Sequence, residues 1–541
     1  MRTPLLLYAL AIAVRALLLA GYADPAYPDS FYYVDVARAL AGGRGLSVDF
    51  VWIFAEVGGR LPADPVLPIP SNAHWLPLAS FAQAPFIAAL GPTAVASALP
   101  LLMIGSLAAP LTFLIAREAG LSPLVQVGAG VLAAIPAAGT VFMAQPENFA
   151  IFEPLVAATL WLTARGLRGD GRSYALAGLL VGLASIARND AFLLGGAVGL
   201  AWVIDRWRVA RGRGTARISA AAVAACIGLY LAVVGPWWVR QLLEFGSISP
   251  TATGGTALWL TDYAQWNSIT AEVTLDRFLA RDLGAIIGSR VDGLLLALAN
   301  FAVVVCSVVL VPLVALGSWL CRRSDAFLPW FVYFGVLLAG AMLLFPLHVR
   351  GGAYIHSAVG LAPHAYILAL EGAVAGVGWL AARRPGWRAE PTARTVVTAI
   401  VAVTVGSAVL YAAAVQASWR ADAAPRRALA EKLDRLGVRP DDRLMSIDAA
   451  GFKYFTGLGG VVTPNDPIET IDEVARAYDI RWLALERGAT VIALEPVLAG
   501  NRPSWIGRPV FEVPAGDAGP PRLALYPVCV TTDDTRCEGS S

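Results

Sequence analysis

"RTPLLLYALAIAVRALLLAGYADPAYPDSFYYVDVARALAGGRG", residues 2–45, joins a long apolar run to a segment rich in acids and tyrosines. The run from 3 to 22 carries a single charge, Arg15, and a membrane-spanning helix takes about 20 apolar residues. No small-residue cleavage site followed by a mature domain ends the run, so we expect a retained anchor rather than a removed signal. The stretch therefore predicts a membrane protein whose chain leaves its first span into an acid-rich loop.

The composition of the whole chain supports the same class. Of the 541 residues, 57% are hydrophobic and 15% are charged, whereas soluble domains carry roughly a quarter charged residues. The net charge of +2 is too small to indicate a nucleic-acid partner. We predict eleven spans, at roughly 3–22, 94–116, 122–144, 148–165, 173–187, 191–205, 218–238, 291–320, 326–346, 354–382 and 395–418.

The charges between these spans predict the orientation. With Arg2 inside, every second loop is rich in arginine, and the intervening loops are rich in acids, which is the asymmetry of the positive-inside rule. An odd number of spans then places the C-terminal part outside. The inside arginines are Arg117, Arg165, Arg168, Arg172, Arg206, Arg208, Arg211, Arg213, Arg217, Arg322, Arg323, Arg383, Arg384, Arg388 and Arg394.

One apolar segment, "HWLPLASFAQAPFIAALG" (74–91), is left out of the count. A span there would invert every later loop and put the arginine clusters outside. We expect instead a helix lying in the membrane interface, broken by Pro77 and Pro85.

After residue 418 the chain changes character. Strand-like and helix-like stretches alternate in "DDRLMSIDAAGFKYFTG" (441–457) and "PIETIDEVARAYDI" (467–480), which predicts a small α/β domain. Cys529 and Cys537 lie in its polar tail, where a disulfide would need an oxidising compartment. The predicted fold is an α-helical polytopic membrane protein, residues 1–418, with an extracytoplasmic α/β domain, 419–541. The outer loops 23–93, with its interfacial helices, and 239–290 belong to the membrane module.

Ionisable and aromatic groups with no evident reason to be near lipid fall on the predicted outer side. Such groups are functional candidates, and acids, arginines and histidines together are the inventory of a reaction site. They are Asp29, Tyr32, Tyr33, His74, Glu147, Arg188, Asp190, Arg240, Arg350 and His356.

The opening stretch contains one of these groups at the start of a predicted helix. In a helix begun at Asp29, residues 32, 33, 36, 37 and 40 share one apolar face, so we expect the helix to rest on the membrane by that face. Asp29 or Ser30 would then be the helix N-cap, or Asp29 would border a reaction site. The residues of this stretch alone leave both interpretations open.

Four stretches in order resemble the GT-C glycosyltransferases, and in particular the bacterial relatives of protein O-mannosyltransferases and the aminoarabinose transferase of lipid A. They are "DSFYYVDVARALAGGRG" (29–45), "HWLPLASFAQAPF" (74–86), "GPWWVRQLLEFGSISP" (235–250) and "RGGAYIHSAVGLAP" (350–363). The resemblance covers about residues 1–380, and "FKYFTGLGGVVTP" (452–464) continues it more loosely.

The resemblance implies an inverting transfer from a sugar on a polyprenyl phosphate, with Asp29 as catalytic base. Glu147 matches the family's second outer acid best, and Glu153 is the second choice. No nucleotide or other cofactor is required. The family often has an acid directly after the base, and Ser30 stands there, which puts any metal bound by such a pair in doubt.

The remaining candidates suit the donor's chemistry. Arginine binds phosphate through a permanently charged fork, so Arg240 and Arg350 are candidates for the lipid phosphate. His74 would contact phosphate or donor sugar, Trp238 with Trp237 would stack on a sugar ring, and Tyr33 and His356 complete the predicted substrate site. Each candidate also has an ordinary structural explanation. The tryptophans would belong to the interfacial aromatic belt, and His356 would be a packed polar residue. For Arg188 and Asp190 we favour a local ion pair over a role in the site.

Two other functions compete with sugar transfer. A transporter or flippase of a lipid-linked substrate would share the spans and buried arginines, although such proteins usually have repeats and charges near the bilayer midplane. A non-enzymatic envelope scaffold would use the outer domain for binding. We favour the glycosyltransferase, with the lipid bilayer and an unidentified lipid, glycan or protein acceptor as its further partners.

Overall fold

A computed structural model describes residues 2–212, 216–249, 251, 253, 255–344, 353–384, 386–516 and 519–529. Its α-helices are α1 Arg2–Gly21, α2 Pro28–Ala41, α3 Leu78–Leu90, α4 Ala94–Gly105, α5 Ala108–Glu118, α6 Pro123–Ala134, α7 Phe149–Gly166, α8 Gly171–Ser185, α9 Phe192–Ala210, α10 Ala220–Phe245, α11 Leu275–Leu279, α12 Leu283–Asn300, α13 Val311–Cys321, α14 Leu328–Leu343, α15 Ala353–Ala358, α16 Ala362–Ala381, α17 Ala389–Ala430, α18 Ala449–Thr456, α19 Ile468–Ala477 and α20 Glu495–Leu498. Its strands are β1 Ser47–Val48, β2 Phe50–Val51, β3 Ile69–Pro70, β4 Arg443–Ser446, β5 Gly460–Val462, β6 Ile480–Glu486, β7 Phe511–Val513 and β8 Leu523–Pro527.

The chain divides into two units. The first comprises Met1–Asp24, Trp75–Thr251 and Asp282–Gln416, and the second comprises Pro25–His74, Ala252–Arg281 and Ala417–Ser541. Parts of the loops 23–93 and 239–290, which we assigned to the membrane module, therefore contribute to the second unit.

The first unit is helical. Within the described residues, six helical segments are long and apolar enough to cross a membrane: Arg2–Gly21, Ala94–Glu118, Ala220–Phe245, Leu283–Val305, Tyr354–Ala381 and Ala389–Ala430. The apolar helices α3, α6, α13 and α14 are shorter. The membrane class is thus supported, and the count of eleven spans stays a prediction.

Two predicted spans differ from the helices that are found. The stretch 291–320 is not one helix: α12 ends at Asn300, a π-helical turn follows at Phe301–Val305, and α13 begins at Val311. The backbone between them has positive φ at Ser307 and Val308, which α-helical geometry excludes. In 122–144, α6 ends at Ala134 and gives way to 3₁₀ turns.

The segment 74–91 forms a single helix. α3 starts directly after Pro77 and continues through Pro85 to Leu90, so the predicted break at Pro85 is wrong. Its 13 residues rise about 20 Å at roughly 1.5 Å per residue, which is less than the ~30 Å of a bilayer core. The interfacial position remains a prediction.

The second unit contains a six-stranded sheet in the order β2-β5-β4-β6-β8-β7. β2, β5, β4 and β6 are parallel, and β8 and β7 pair antiparallel at one end. Alternate residues of β6 enter two hydrophobic cores, Leu483 and Leu485 in one and Trp482 and Ala484 in the other, as the two-residue period of a strand requires. The predicted C-terminal strands and helices are present, and the edge strand β2 comes from the first outer loop.

α2 is buried in the second unit rather than resting on a membrane by one stripe. Besides the predicted face, Phe31, Val34 and Ala39 are also buried. Phe31 packs against Tyr454 and Phe455 of α18, with ring centroids 5.3 and 5.7 Å away. The prediction of a one-sided interfacial helix is wrong, because the opposite face of α2 has a partner about 400 residues further along the chain.

Two sequence-based expectations fall on residues outside those described. Arg350, the second candidate for the lipid phosphate, is one of them. Cys537 is the other; Cys529 is disulfide-bonded.

Candidate functional site

Asp29 lies in the first turn of α2 and is partly exposed. The N-cap residue is Tyr27, so the prediction of Asp29 or Ser30 at that position is wrong. Ser30, the third helical residue, bonds back to the start of the helix: its Oγ accepts hydrogen bonds from the amides of Ala26 and Tyr27, at 3.1 and 3.2 Å, and donates to the Tyr27 carbonyl at 2.7 Å. The Asp29 carboxylate sits at the positive end of the helix macrodipole, which stabilises its ionised form.

Tyr263 interacts electrostatically with this carboxylate, and Tyr33 is packed in the core of the second unit. Desolvation of its hydroxyl, followed by the negative charge of Asp29, raises the pKa of Tyr263 to about 12, so Tyr263 keeps its proton beside the acid. Tyr33, predicted to bind substrate, is 4% exposed and packs edge-on against Tyr32. Tyr32 accepts a hydrogen bond from the Asn72 amide at 2.8 Å.

His74 is held in its neutral form. Burial lowers its pKa to about 4, and its ring meets Trp266 edge-on at 4.8 Å. Its Nδ1 lies 3.1 Å from Thr253 Oγ1, and that hydroxyl donates to the Ala73 carbonyl. When the hydroxyl proton is given to that carbonyl, Nδ1 carries the imidazole proton and Nε2 is an acceptor. A neutral acceptor suits a sugar hydroxyl better than a phosphate oxygen.

In the first unit, the structure brings together Glu147 and His356. Glu147 is 1% exposed and directly precedes α7; its Oε2 accepts from the Phe149 amide at 2.6 Å. His356 Nδ1 lies 3.8 Å from Glu147 Oε1, and its ring stacks on Phe149 with centroids 4.3 Å apart. The result is a buried carboxylate at a helix N-terminus with an imidazole beside it.

A second buried acid belongs to the same neighbourhood. Arg188 donates to both oxygens of Asp190, at 3.0 and 3.3 Å, and the Ser357 hydroxyl donates to Asp190 as well. The local Arg188–Asp190 pair is thus present. We name the group Glu147, Arg188, Asp190, His356 and Ser357 the Glu147 cluster.

Sequence analysis missed two participants in this region. Ser357 directly follows His356 at the start of an apolar helix, and that adjacency was the available signal. Asn148, fully buried beside Glu147, donates to the Ala187 carbonyl at 2.7 Å, which ties the start of α7 to the end of α8. Only tertiary structure shows this bond.

Arg240 lies near the C-terminal end of α10 between two aromatic rings. Its guanidinium is 5.1 Å from the Trp237 centroid and 5.0 Å from the Phe245 centroid. Trp238, a predicted sugar platform, meets Tyr230 edge-on, and Trp237 is the ring beside Arg240; the sugar contact stays a prediction.

The second-choice acid, Glu153, lies deeper in α7 and interacts with a buried arginine. It is fully buried, and neither of its carboxylate oxygens has a hydrogen-bond partner among the described residues. Its electrostatic partner is Arg15 of α1.

A metal would find two suitable donors within the Glu147 cluster. Glu147 Oε1 and His356 Nδ1 are a carboxylate oxygen and an imidazole nitrogen, which are ligand types that zinc accepts. Metal binding by this pair stays a proposal, as does the independence from any other cofactor.

Comparison with known proteins locates the fold. No protein family and no curated protein sequence matches the chain. Among solved structures, it is similar to ArnT from Cupriavidus metallidurans in the apo state, with a TM-score of 0.53 and 11% identity over 97% of both chains. ArnT bound to undecaprenyl phosphate gives a TM-score of 0.52 and 10% identity over 98% of both chains.

A weaker likeness, with a TM-score of 0.47 and 12% identity, relates 90% of this chain to 69% of the Archaeoglobus fulgidus oligosaccharyltransferase. The ArnT similarity extends over nearly the full length of both chains, and it agrees with the resemblance of the four sequence stretches. The chain therefore has the fold of the GT-C glycosyltransferases.

Proposed function

We propose that this protein is an inverting glycosyltransferase that moves a sugar from a polyprenyl-phosphate donor to a cell-envelope acceptor at the outer face of the cytoplasmic membrane. The observation that carries the proposal is the likeness over 98% of both chains to ArnT, whose structure was solved with undecaprenyl phosphate bound. A disulfide at Cys529 fits an oxidising compartment on the outer side.

Asp29 is the proposed catalytic base. The acceptor hydroxyl or amine must lose a proton as it attacks the anomeric carbon, and a carboxylate within hydrogen-bond reach takes it. Two features support the assignment: Asp29 is partly exposed, and the N-cap position is held by Tyr27, with Ser30 and not Asp29 bonding back to it. Beside it, a protonated Tyr263 hydroxyl could donate to Asp29 or to a sugar oxygen.

The Glu147 cluster is the proposed second acidic component. Glu147 is held at the start of α7 by the Phe149 amide and lies beside the His356 imidazole. In that setting it would orient the imidazole, or bind a divalent ion with it. Because Arg188 already pairs with Asp190, we assign that arginine a positioning role and no phosphate.

Recognition of the donor phosphate is assigned to Arg240 and, by the sequence resemblance, to Arg350. Charge develops on the departing phosphate, and fixed donors aimed at that charge lower the barrier. The Arg240 guanidinium lies beside the Trp237 and Phe245 rings, and these contacts hold the charged group near the end of α10. We assign His74 Nε2 as the acceptor of a hydrogen bond from a hydroxyl of the donor sugar.

The competing function is a transporter or flippase of a lipid-linked substrate, which would also bind a polyprenyl phosphate. The two differ in what the acids do: a transporter moves the intact lipid, so no glycosidic bond is made. Formation of a new sugar linkage is therefore the measurement that separates them.

The experiment incubates membranes containing the protein with a panel of radiolabelled polyprenyl-phosphate sugars and cell-envelope acceptors. We expect Asp29→Asn to lower transfer by a factor of about a hundred to ten thousand and Glu147→Gln to lower it substantially. Both variants should reach the membrane in wild-type amounts.

Asp64→Asn is the matched control, because Asp64 is an exposed acid of the first outer loop. It should transfer sugar at the wild-type rate. Undiminished transfer by Asp29→Asn would overturn the assigned base, and absence of transfer from every donor, with movement of intact lipid across the bilayer, would favour the flippase.

A further inference from the structure

A cleft of about 470 Å³ lies in the second unit, within the outer-loop segment between residues 259 and 281. Its walls come from a single stretch of chain that includes the 3₁₀ turn Tyr263–Asn267 and the short helix α11. No residue that we assigned to sugar transfer lines it. The cleft is therefore a separate feature to be explained.

One wall of the cleft is fixed to the α/β fold by Asp466. This buried carboxylate accepts four hydrogen bonds, from Ser268 Oγ at 2.7 Å, the Ile269 amide at 2.8 Å, and the amide and hydroxyl of Thr270 at 3.1 and 2.5 Å. Thr270 lines the cleft. The Asn465 amide adds a backbone bond to the Asn267 carbonyl at 2.7 Å.

A second part of the lining is braced by Gln265. Its Oε1 accepts from the Thr261 amide at 2.9 Å, and its amide nitrogen donates to the Thr261 hydroxyl at 2.9 Å. Both residues line the cleft. Two braced walls give a ligand a preformed surface, and such preorganisation reduces the entropy lost on binding.

The cleft combines aromatic rings with a positive balance of charge. Trp259 and Phe278 form an aromatic pair with centroids 5.8 Å apart, and the Arg281 guanidinium lies 5.9 Å from the Phe278 centroid. Arg277 pairs with Glu272 at 2.7 Å, and both side chains are largely exposed. Two guanidinium groups and one carboxylate leave one positive charge in excess.

This lining selects a class of ligand. Hydroxyl, amide and guanidinium groups would be poor surroundings for a lipid tail, whereas a sugar ring offers a C–H face to an aromatic ring and hydroxyls to polar groups. The surplus guanidinium adds a fork for a carboxylate or phosphate. An anionic carbohydrate meets all of these features at once.

We propose that the cleft binds the acceptor and that the acceptor is a carbohydrate bearing a carboxylate or phosphate. The identification as acceptor rests on the proposed function; the binding of an anionic carbohydrate does not. Trp259 supports the sugar ring, and Arg281 receives the anionic group. Glu272 weakens the site for anions, since it neutralises Arg277.

Binding is tested by calorimetric titration of the detergent-purified full chain with four probes. Trigalacturonate carries carboxylates, mannose 6-phosphate carries a phosphate, maltotriose is neutral, and inorganic phosphate lacks a sugar. We expect saturable binding of at least one of the two anionic sugars, and much weaker binding of maltotriose and of inorganic phosphate.

Opposite substitutions make the test two-sided. Arg281→Gln should weaken binding of the anionic sugar about tenfold, since a hydrogen bond to a charged group is lost. Glu272→Gln should tighten it about twofold to fivefold, because the exposed ion pair that it removes is weak. A variant that binds more tightly must be folded. Arg435→Gln, at an exposed arginine outside the cleft, should bind as the wild type does.

The outcomes separate this inference from the proposed function. Failure of both anionic sugars to bind, equal binding of maltotriose or inorganic phosphate, or unchanged binding in Arg281→Gln would overturn the inference. If the protein transfers sugar but does not bind the anionic sugars, the inference is wrong and the proposed function stands. If it binds the anionic sugars but transfers no sugar, the proposed function is wrong and the binding of an anionic carbohydrate stands.

Discussion

Arg15 of the helical unit is buried and Arg426 of the α/β unit is half-buried, and the two guanidinium groups are satisfied by different means. Arg15 in α1 is 1% exposed and donates to the backbone carbonyls of Ala11, Gly105 and Ala134, at 3.3 to 3.4 Å. Arg426 in α17 donates to two carboxylates instead, to Asp448 at 2.6 Å and to Glu486 at 2.9 and 2.7 Å.

The carbonyl partners of Arg15 have a common origin. Gly105 is the last residue of α4 and Ala134 is the last residue of α6. The final carbonyls of a helix have no intrahelical partner, and the helix macrodipole makes that end negative. In the helical unit one guanidinium thus serves two helix ends, whereas the α/β unit neutralises its arginine with acids. An arginine therefore acts as a helix cap in one unit and as an ion-pair centre in the other.

The largest effect is expected when the ion-pair centre is removed. Arg426→Met leaves the buried Asp448 and the half-buried Glu486 without their cation, and breaking a buried pair in this way costs about 3–5 kcal/mol. Hydrogen–deuterium exchange over residues 443–486 should show a loss of protection of that order. Arg435→Met, at an exposed position, is the control and should change protection by less than about 0.5 kcal/mol. A cost below 1 kcal/mol for Arg426→Met would contradict the ion-pair interpretation.

A second acid of the α/β unit shows what happens without such compensation. Burial raises the pKa of Asp35 to about 7, although Arg38 and Lys453 act in the opposite direction. Its Oδ2 is buried and has no hydrogen-bond partner within the described ranges, and Arg38 is 4.0 Å from Oδ1. Because the folded-state pKa lies above the ordinary 3.8, the native state binds more protons than the unfolded state between these values.

The free energy of unfolding should therefore rise as the pH falls from 8 to 5, with Asp35 contributing about 1–3 kcal/mol. The contribution is fully present below about pH 4 and is lost as the pH rises through about 7. Asp35→Asn should flatten this profile and be more stable than the wild type at pH 8. Denaturant midpoints at pH 5, 6, 7 and 8 check it, and parallel profiles for the two proteins would refute it.

Many of the helices could be predicted from the sequence, because the length of an apolar run can be read from the local sequence alone. The predicted span 3–22 corresponds to α1, Arg2–Gly21, since an uninterrupted apolar run leaves a membrane protein few alternatives to a helix. The π-helical turn inside 291–320 was not predicted. Apolarity is uniform along that run, so the pattern contains no signal for where hydrogen bonding shifts.

Tertiary contacts were harder to predict than secondary-structure elements. The pattern of α2 indicated a buried face, but periodicity does not identify the partner, and α18 lies far along the chain. In the same way, Glu147 and His356 were each chosen as candidates, whereas their mutual distance of 3.8 Å depends on how α7 and α15 are arranged. Asp29 as a base and Arg350 as a phosphate ligand remain predictions from the resemblance.

A smaller effect is expected at the arginine that caps two helices. Arg15→Met removes hydrogen bonds to Gly105 and Ala134, and interhelical hydrogen bonds in membranes average about 0.6 kcal/mol. The interaction with each helix dipole adds about 0.3–1 kcal/mol. We expect a total loss of about 2–3 kcal/mol, measured by unfolding in mixed detergent micelles.

Glu153→Gln separates capping from ion pairing at the same place. The Glu153 carboxylate accepts no hydrogen bond in the part of the chain that the structure describes, so its neutral isostere should cost less than Arg15→Met. If Glu153→Gln proves the more destabilising of the two, Arg15 belongs with Arg426 as an ion-pair centre, and the contrast between the units disappears.

The smallest change in stability is expected at an arginine of the α/β unit whose guanidinium contacts an aromatic ring. The guanidinium of Arg38, in α2, lies 4.4 Å from the centroid of Tyr454 in α18. Tyr454→Leu removes that ring and should cost about 0.5–1 kcal/mol of stability, whereas Tyr454→Phe keeps the ring and should match the wild type. Hydrogen exchange in α2 measures both variants. Equal protection in the Leu and Phe variants would show that the ring contributes only bulk, and Arg38 would then depend on its carboxylate neighbour Asp35, as Arg426 depends on Asp448.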